Sequence, residues 1–164
     1  MNRILLIDDE PLMLSALQRE LQQQFRGQEL RLECYTDPFA ALKRSCEQEF
    51  DVVICDFMMP KLSGGELLQA LKNVAPHTVR IMLSASTAFD TALSAINQAA
   101  AFRFIRKPWE PEELAQTVRE ALQLRAETLA RQAPTAQELE AQRLEKEEPG
   151  ILRVKRAPDG SIIL

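Results

Sequence analysis

Short blocks of consecutive aliphatic residues alternate along this chain with stretches whose apolar residues recur every three or four positions. Arg3 to Ile7 is the first block, and it stops abruptly at Asp8-Asp9-Glu10. Four aliphatics in a row leave no polar face for water, so a strand buried on both sides, as in a parallel sheet, is expected. Pro11 suits the first turn of a helix, and acids ahead of it suit the positive end of the helix dipole. Leu12, Leu14, Leu17, Leu21 and Phe25 follow at helical spacing, and Gly27 ends the segment. Leu30 to Tyr35 alternates as a strand, and Thr36-Asp37-Pro38 opens a second helix reaching about Cys46. Asp51 to Cys55 is a nearly all-apolar third strand. Pro60 to Gly65 reads as a loop, with Gly64 and Gly65 expected to supply a positive φ or a close turn, and Glu66 to Val74 as a helix. A fourth strand at Val79 to Leu83, an Ala-rich helix at Asp90 to Ala101, a fifth strand at Phe102 to Ile105 and a long helix from Pro111 to about Arg131 complete the series. Strands alternating with helices in this way imply an α/β fold: a parallel sheet covered on both faces, with ligands beyond the carboxyl ends of its strands.

Composition narrows the function classes. The chain has 164 residues, room for one ordinary domain plus an appendage. A net charge of −4 offers no basic field to gather nucleic acid or anionic lipid. No apolar run approaches a membrane span, and the start MNRILLIDDE lacks the long apolar stretch of a signal peptide. A cytoplasmic protein with no direct nucleic-acid or membrane partner is expected. Cys34, Cys46 and Cys55 form no CxxC pair and read as small buried hydrophobes in a reducing compartment. His77 stands alone after Pro76 and reads as a surface residue.

The polar residues that follow the strands carry the chemistry. Asp8 and Asp9 follow the first strand, Asp56 the third, Ser84 the fourth, and Lys107 comes two residues after the fifth. In a parallel sheet all of them converge on one rim. Packed carboxylates repel one another and their pKa values rise unless compensated. A divalent cation removes that conflict, and oxygen donors suit Mg²⁺ better than Zn²⁺. One carboxylate can then act as a nucleophile and form an acyl phosphate, with Lys107 and Ser84 binding phosphoryl oxygens.

The segments LLIDDEP, VVICDFMMPKLSGGELL, IMLSAS and FRFIRKPWEPEEL, in this order and spacing, resemble the receiver domain of bacterial two-component response regulators from residue 1 to about residue 124. The resemblance implies a flavodoxin-like (βα)5 doubly wound sheet of strand order 2-1-3-4-5, followed by an appendage over 125–164. It implies that Asp56 is the phosphoacceptor, that Asp9 ligates Mg²⁺ (or Mn²⁺) directly and Asp8 largely through metal-bound water, and that the Met58 backbone carbonyl completes the coordination. Ser84 and Lys107 match the residues that meet the phosphoryl group, and Phe104 the aromatic switch. The bond that matches Lys107–Pro108 is usually cis in the family, so the resemblance implies a cis bond here. The implied partners are a sensor histidine kinase or phosphotransfer protein and an output protein or domain. The KPWEPEEL segment is similar to receivers joined to cyclic-dinucleotide phosphodiesterases and to sensor kinases. The implied chemistry is self-phosphorylation and slow self-dephosphorylation, not turnover of an external substrate.

Departures from the common pattern matter. Phe104 has no hydroxyl, so no output contact can use one. Met58 and Ser86 flank the phosphoryl site and cannot serve as a general base. The Asp90 to Ala101 helix carries one charged residue, which puts the family's charge-matched dimer in doubt. In the tail, Thr135 and Glu138 read as a capping box behind Pro134, Ala136 to Glu148 as a helix, and Ile151 to Leu164 as a hairpin turning at Pro158-Asp159-Gly160. Its apolar face needs cover, which a second copy of the chain (a homodimer through the appendage), the receiver or an output partner would provide. Two other classes share parts of this chemistry. A haloacid-dehalogenase-type phosphatase places its nucleophile on the first strand in a D-x-D arrangement, which is absent. A pseudo-receiver, binding without phosphotransfer, is the alternative.

Overall fold

The computed structural model describes residues 1–85 and 101–132. The chain divides into two compact units, Met1–Thr128 and Leu129–Leu164, and the first holds the sheet. Five parallel strands, β1 (Asn2–Ile7), β2 (Leu30–Tyr35), β3 (Val52–Asp56), β4 (Val79–Ser84) and β5 (Arg103–Arg106), lie in the order β2-β1-β3-β4-β5. Four helices are described: α1 (Pro11–Gln24), α2 (Pro38–Glu47), α3 (Gly64–Val74) and α4 (Pro111–Gln132). The expected helix over Asp90 to Ala101, apart from Ala101 itself, lies outside the described residues. So do Ser86, the Thr135 capping box and the C-terminal hairpin.

The all-apolar strands are explained by two cores. Successive side chains of a strand point to opposite faces. Ile4, Leu6, Val52, Ile54 and Ile81 pack with Leu14, Leu17 and Leu21 of α1 and Leu114 and Val118 of α4. Leu5, Ile7, Val53, Cys55 and Met82 pack on the other face with Ala41 of α2 and Leu67, Leu68 and Leu71 of α3. The sheet is therefore doubly wound, and the buried carboxylates Asp8 and Asp56 sit at strand ends.

Three expectations are corrected. Gly64 and Gly65 are not in a turn: α3 starts at Gly64, two residues earlier than its apolar spacing indicated. Ser63 caps it, its Oγ accepting from the Glu66 N–H at 3.1 Å while the Glu66 carboxylate accepts from the Ser63 N–H at 3.3 Å. Such a cap stabilises by about 1 kcal/mol, enough to draw two glycines into the first turn. The positive φ among the described glycines is at Gly27, where α1 gives way to β2. Leu12 is not core: it is 84% exposed on the outer side of α1. Cys46 is exposed, Cys34 is intermediate, and only Cys55 is buried.

Candidate functional site

Backbone hydrogen bonds carry the sheet one step past its carboxyl ends and fix the residues that follow. The Asp8 N–H donates to the Tyr35 carbonyl at 3.1 Å, the Phe57 N–H to that of Leu83 at 2.8 Å, and the Lys107 N–H to that of Ser84 at 2.8 Å. Asp56 and Ser84 are the last residues of β3 and β4. The Lys107–Pro108 peptide is cis, as the resemblance implied.

These anchors bring together groups far apart in sequence. The Lys107 Nζ lies 2.7 Å from Asp8 Oδ2 and 3.2 Å from Asp56 Oδ1. Asp8, Asp9 and Asp56 each place a carboxylate oxygen within 4.8 Å of the others. Asp8 and Asp56 are buried and Asp9 is the most open of the three. The Asp8 oxygens are already engaged, Oδ1 by the Glu10 N–H at 2.9 Å and Oδ2 by Lys107. Asp9 and Asp56 line an open cavity of about 370 Å³ with Glu10, Met13, Met58, Ala85, Lys107 and Pro108. Ser84 is fully buried at the end of β4. Met58 is 64% exposed, at the rim. Phe104 is half-buried against the core beneath α2 and α3. Glu10 occupies the N-cap of α1 without a side-chain cap bond.

The electrostatics fit a cation and an incoming anionic group. Burial, and then the charge of Asp8, push the Asp56 carboxyl above its ordinary pKa against the pull of Lys107 and the Met58 amide. Burial pulls the Lys107 ammonium toward neutrality, but its hydrogen bond to Asp8 and the charges of Asp56 and Asp8 outweigh it and its pKa is raised. One ammonium thus leaves the cluster short of positive charge. Its donors are all oxygens, the set that suits Mg²⁺ or Mn²⁺ and not Zn²⁺. Cys55, next to Asp56, does not compete as a nucleophile: burial, then the charges of Asp56 and Asp8, hold its thiol well above the usual range.

The model of the response regulator receiver domain matches residues 4–119. This chain belongs to the response regulator receiver family. It is 35% identical over 120 residues to the hydrogenase transcriptional regulatory protein HoxA of Cupriavidus necator, a match spanning 73% of this chain and 24% of that one. It is 30% identical over 152 residues to the response regulator protein TmoT of Ectopseudomonas mendocina, covering 92% of this chain and 66% of the relative. A response regulator receiver domain protein from Clostridium thermocellum superimposes with a TM-score of 0.70 at 30% identity, over 79% of this chain and 99% of that one. The signal receiver domain of an HD domain-containing protein from Pseudomonas fluorescens Pf-5 does so at 0.69 and 29%, over 77% and 98%. The receiver family and the 2-1-3-4-5 flavodoxin-like sheet are thereby shown. The chain spans about a quarter of the length of HoxA and similar curated relatives. No described helix is long and apolar enough to cross a membrane.

Two buried arginines were not anticipated. Arg125 of α4 donates from Nε to Asp51 Oδ1 at 2.8 Å and also pairs with Glu49, while Asp51 Oδ2 accepts from the Arg3 N–H at 2.7 Å. This group ties α4 to the amino edge of the sheet. Asp51 and Arg125 are 74 residues apart, and no local pattern marks them. Arg80 had a signal: it is the one charged residue in the apolar run from Val79 to Leu83.

Proposed function

We propose that this chain is a phosphorylation switch whose acceptor is Asp56. The observation that carries the reading is the Lys107 ammonium shared between Asp8 at 2.7 Å and Asp56 at 3.2 Å, beside a cavity that Asp56 and Asp9 line together. An Asp56 oxygen attacks the phosphorus of a phosphohistidine, the bond from phosphorus to the ring nitrogen breaks, and the ring leaves as imidazole. The product is an acyl phosphate. The donor is a sensor histidine kinase or phosphotransfer protein.

Asp9, Asp56 and the Met58 backbone carbonyl would hold Mg²⁺, and Asp8, whose oxygens are already engaged, would act through bound water. When bound, the cation supplies charge neutralisation for the phosphoryl group. Lys107 pairs with one phosphoryl oxygen. Ser84 donates its hydroxyl to another, and Phe104 follows by rotating inward. Because Lys107 N–H is bonded to the Ser84 carbonyl and Phe104 faces Met82 across β4 and β5, a shift of Ser84 has a direct route to the β5 surface. The output lies in a segment beyond the receiver or in a separate protein, as the greater length of HoxA-type relatives supports.

The test is Mg²⁺-dependent labelling from a small phosphodonor. Asp9→Ala keeps the fold, judged by circular dichroism, and loses labelling. Undiminished labelling in that variant would refute the metal assignment.

A further inference from the structure

Arg80 is the second residue of β4, 9% exposed, between apolar neighbours. Its Nη1 donates to the Thr78 carbonyl at 3.0 Å, and its buried Nε has no partner among the described residues. No carboxylate of the described residues pairs with it. Arg125 offers the contrast. It is buried at the same edge of the sheet and its Nη1 also lacks a partner among the described residues, yet Asp51 and Glu49 neutralise its charge. A buried cation without a counter-charge is costly, and burial alone holds the Arg80 pKa below the ordinary arginine value.

The Arg80 Nε itself is sealed from solvent, but other parts of the residue border open space. Arg80 lines a cavity of about 200 Å³ together with Thr78, Val79, Phe102 and Leu124, and the exposed His77 borders it. That volume has room for several water molecules, and so for a small organic ion. The walls from Val79, Phe102 and Leu124 are apolar, which suits a hydrocarbon body better than a bare inorganic oxoanion. The planar donor fork of arginine suits a carboxylate.

We propose that the amino edge of the sheet carries a binding site for a short-chain organic carboxylate, its carboxylate group against Arg80 and its hydrocarbon body against Phe102 and Leu124. The site is distinct from the acid cluster, which lies at the other end of β4, beyond Ser84. Occupancy supplies the charge that Arg80 lacks and stabilises the packing of β4 against α4.

The test titrates the full chain with sodium acetate, sodium butyrate and, as control, sodium chloride, reading the Arg80 Nε–H and the backbone amides of Thr78, Val79 and Phe102 by nuclear magnetic resonance. Saturable shifts at these four groups are expected, at lower concentration for butyrate than for acetate and absent with chloride. The melting temperature should climb with butyrate in the wild type and stay flat in Arg80→Met. Shifts confined to the amides of Ser84 and Lys107, equal responses to chloride, or no saturable shift at Arg80 would each overturn the proposal. The wild-type titration decides the matter even if the variant does not fold.

Discussion

Replacing Asp56 with Asn should make the protein more stable at neutral pH when divalent cations are removed. The sign depends on which of several opposing terms wins. At 3.2 Å and an effective permittivity of about 20, Lys107 attracts the Asp56 carboxylate by roughly 5 kcal/mol. Asp8, within 4.8 Å, repels it by roughly 3.5 kcal/mol on the same footing. The more open Asp9 is better screened, and the cost of burying the charge, the largest effect on this carboxyl, tips the balance against ionisation. Burial and then Asp8 accordingly hold the carboxyl above its ordinary pKa. The folded chain thus binds this proton more tightly than the unfolded chain, and stability is lost as the pH rises through the folded value. Asparagine keeps the shape and an acceptor for Lys107 without the charge. Relief of a strained functional site of this kind is typically worth about 0.5–2 kcal/mol, or a rise in melting temperature of roughly 2–8 °C for a domain of this size. The assay is thermal unfolding of both proteins with a chelator, from neutral pH down through the carboxylate range. The advantage of the variant should vanish below the unfolded aspartate value of about 3.9. Added Mg²⁺ should stabilise the wild type more than the variant and narrow the gap. An Asp56→Asn protein less stable than the wild type at neutral pH would refute the reasoning, because Lys107 would then dominate the site.

Further outcomes follow from the same structure. Arg125→Leu should cost about 1.5–3 kcal/mol in urea unfolding, since it removes charged hydrogen bonds and leaves Asp51 with only the Arg3 amide. Met58→Glu should speed loss of phosphate from the phosphorylated chain, because the side chain at this exposed rim position would gain a base able to activate water. A positioned base contributes on the order of 10²-fold or more, and an unchanged half-life would argue that Met58 does not face the phosphoryl group.

The sheet was legible because β1 and β3 are built on runs of aliphatics and β4 on a run broken only by Arg80, and because strand-end polar residues in a parallel sheet must share a rim. That rule reaches across the 99 residues between Asp8 and Lys107. Helix positions were less secure. Leu12 has the spacing of a core residue but falls on the outer side of α1, because a lone apolar residue in a first turn does not by itself show which way it faces. Gly64 and Gly65 read as turn residues, whereas the reciprocal Ser63–Glu66 cap decided the start of α3. The Asp51–Arg125 pair left no trace in the sequence: a buried salt bridge between a strand start and a distant helix has no periodicity. Arg80 did leave one, a charge inside an apolar strand, and it went unread because the pattern around it was otherwise consistent.

The central claim is that Asp56 accepts the phosphoryl group, and chemical trapping tests it most directly. The full chain is incubated with acetyl phosphate and Mg²⁺, reduced with borohydride, which converts a phosphorylated aspartate into homoserine, and digested for mass spectrometry. Conversion at position 56 alone, abolished by hydroxylamine treatment beforehand and by omission of Mg²⁺, is the predicted result. Conversion at Asp8 or Asp9, or an acid-stable phosphate on Ser84 with position 56 unmodified, would contradict it.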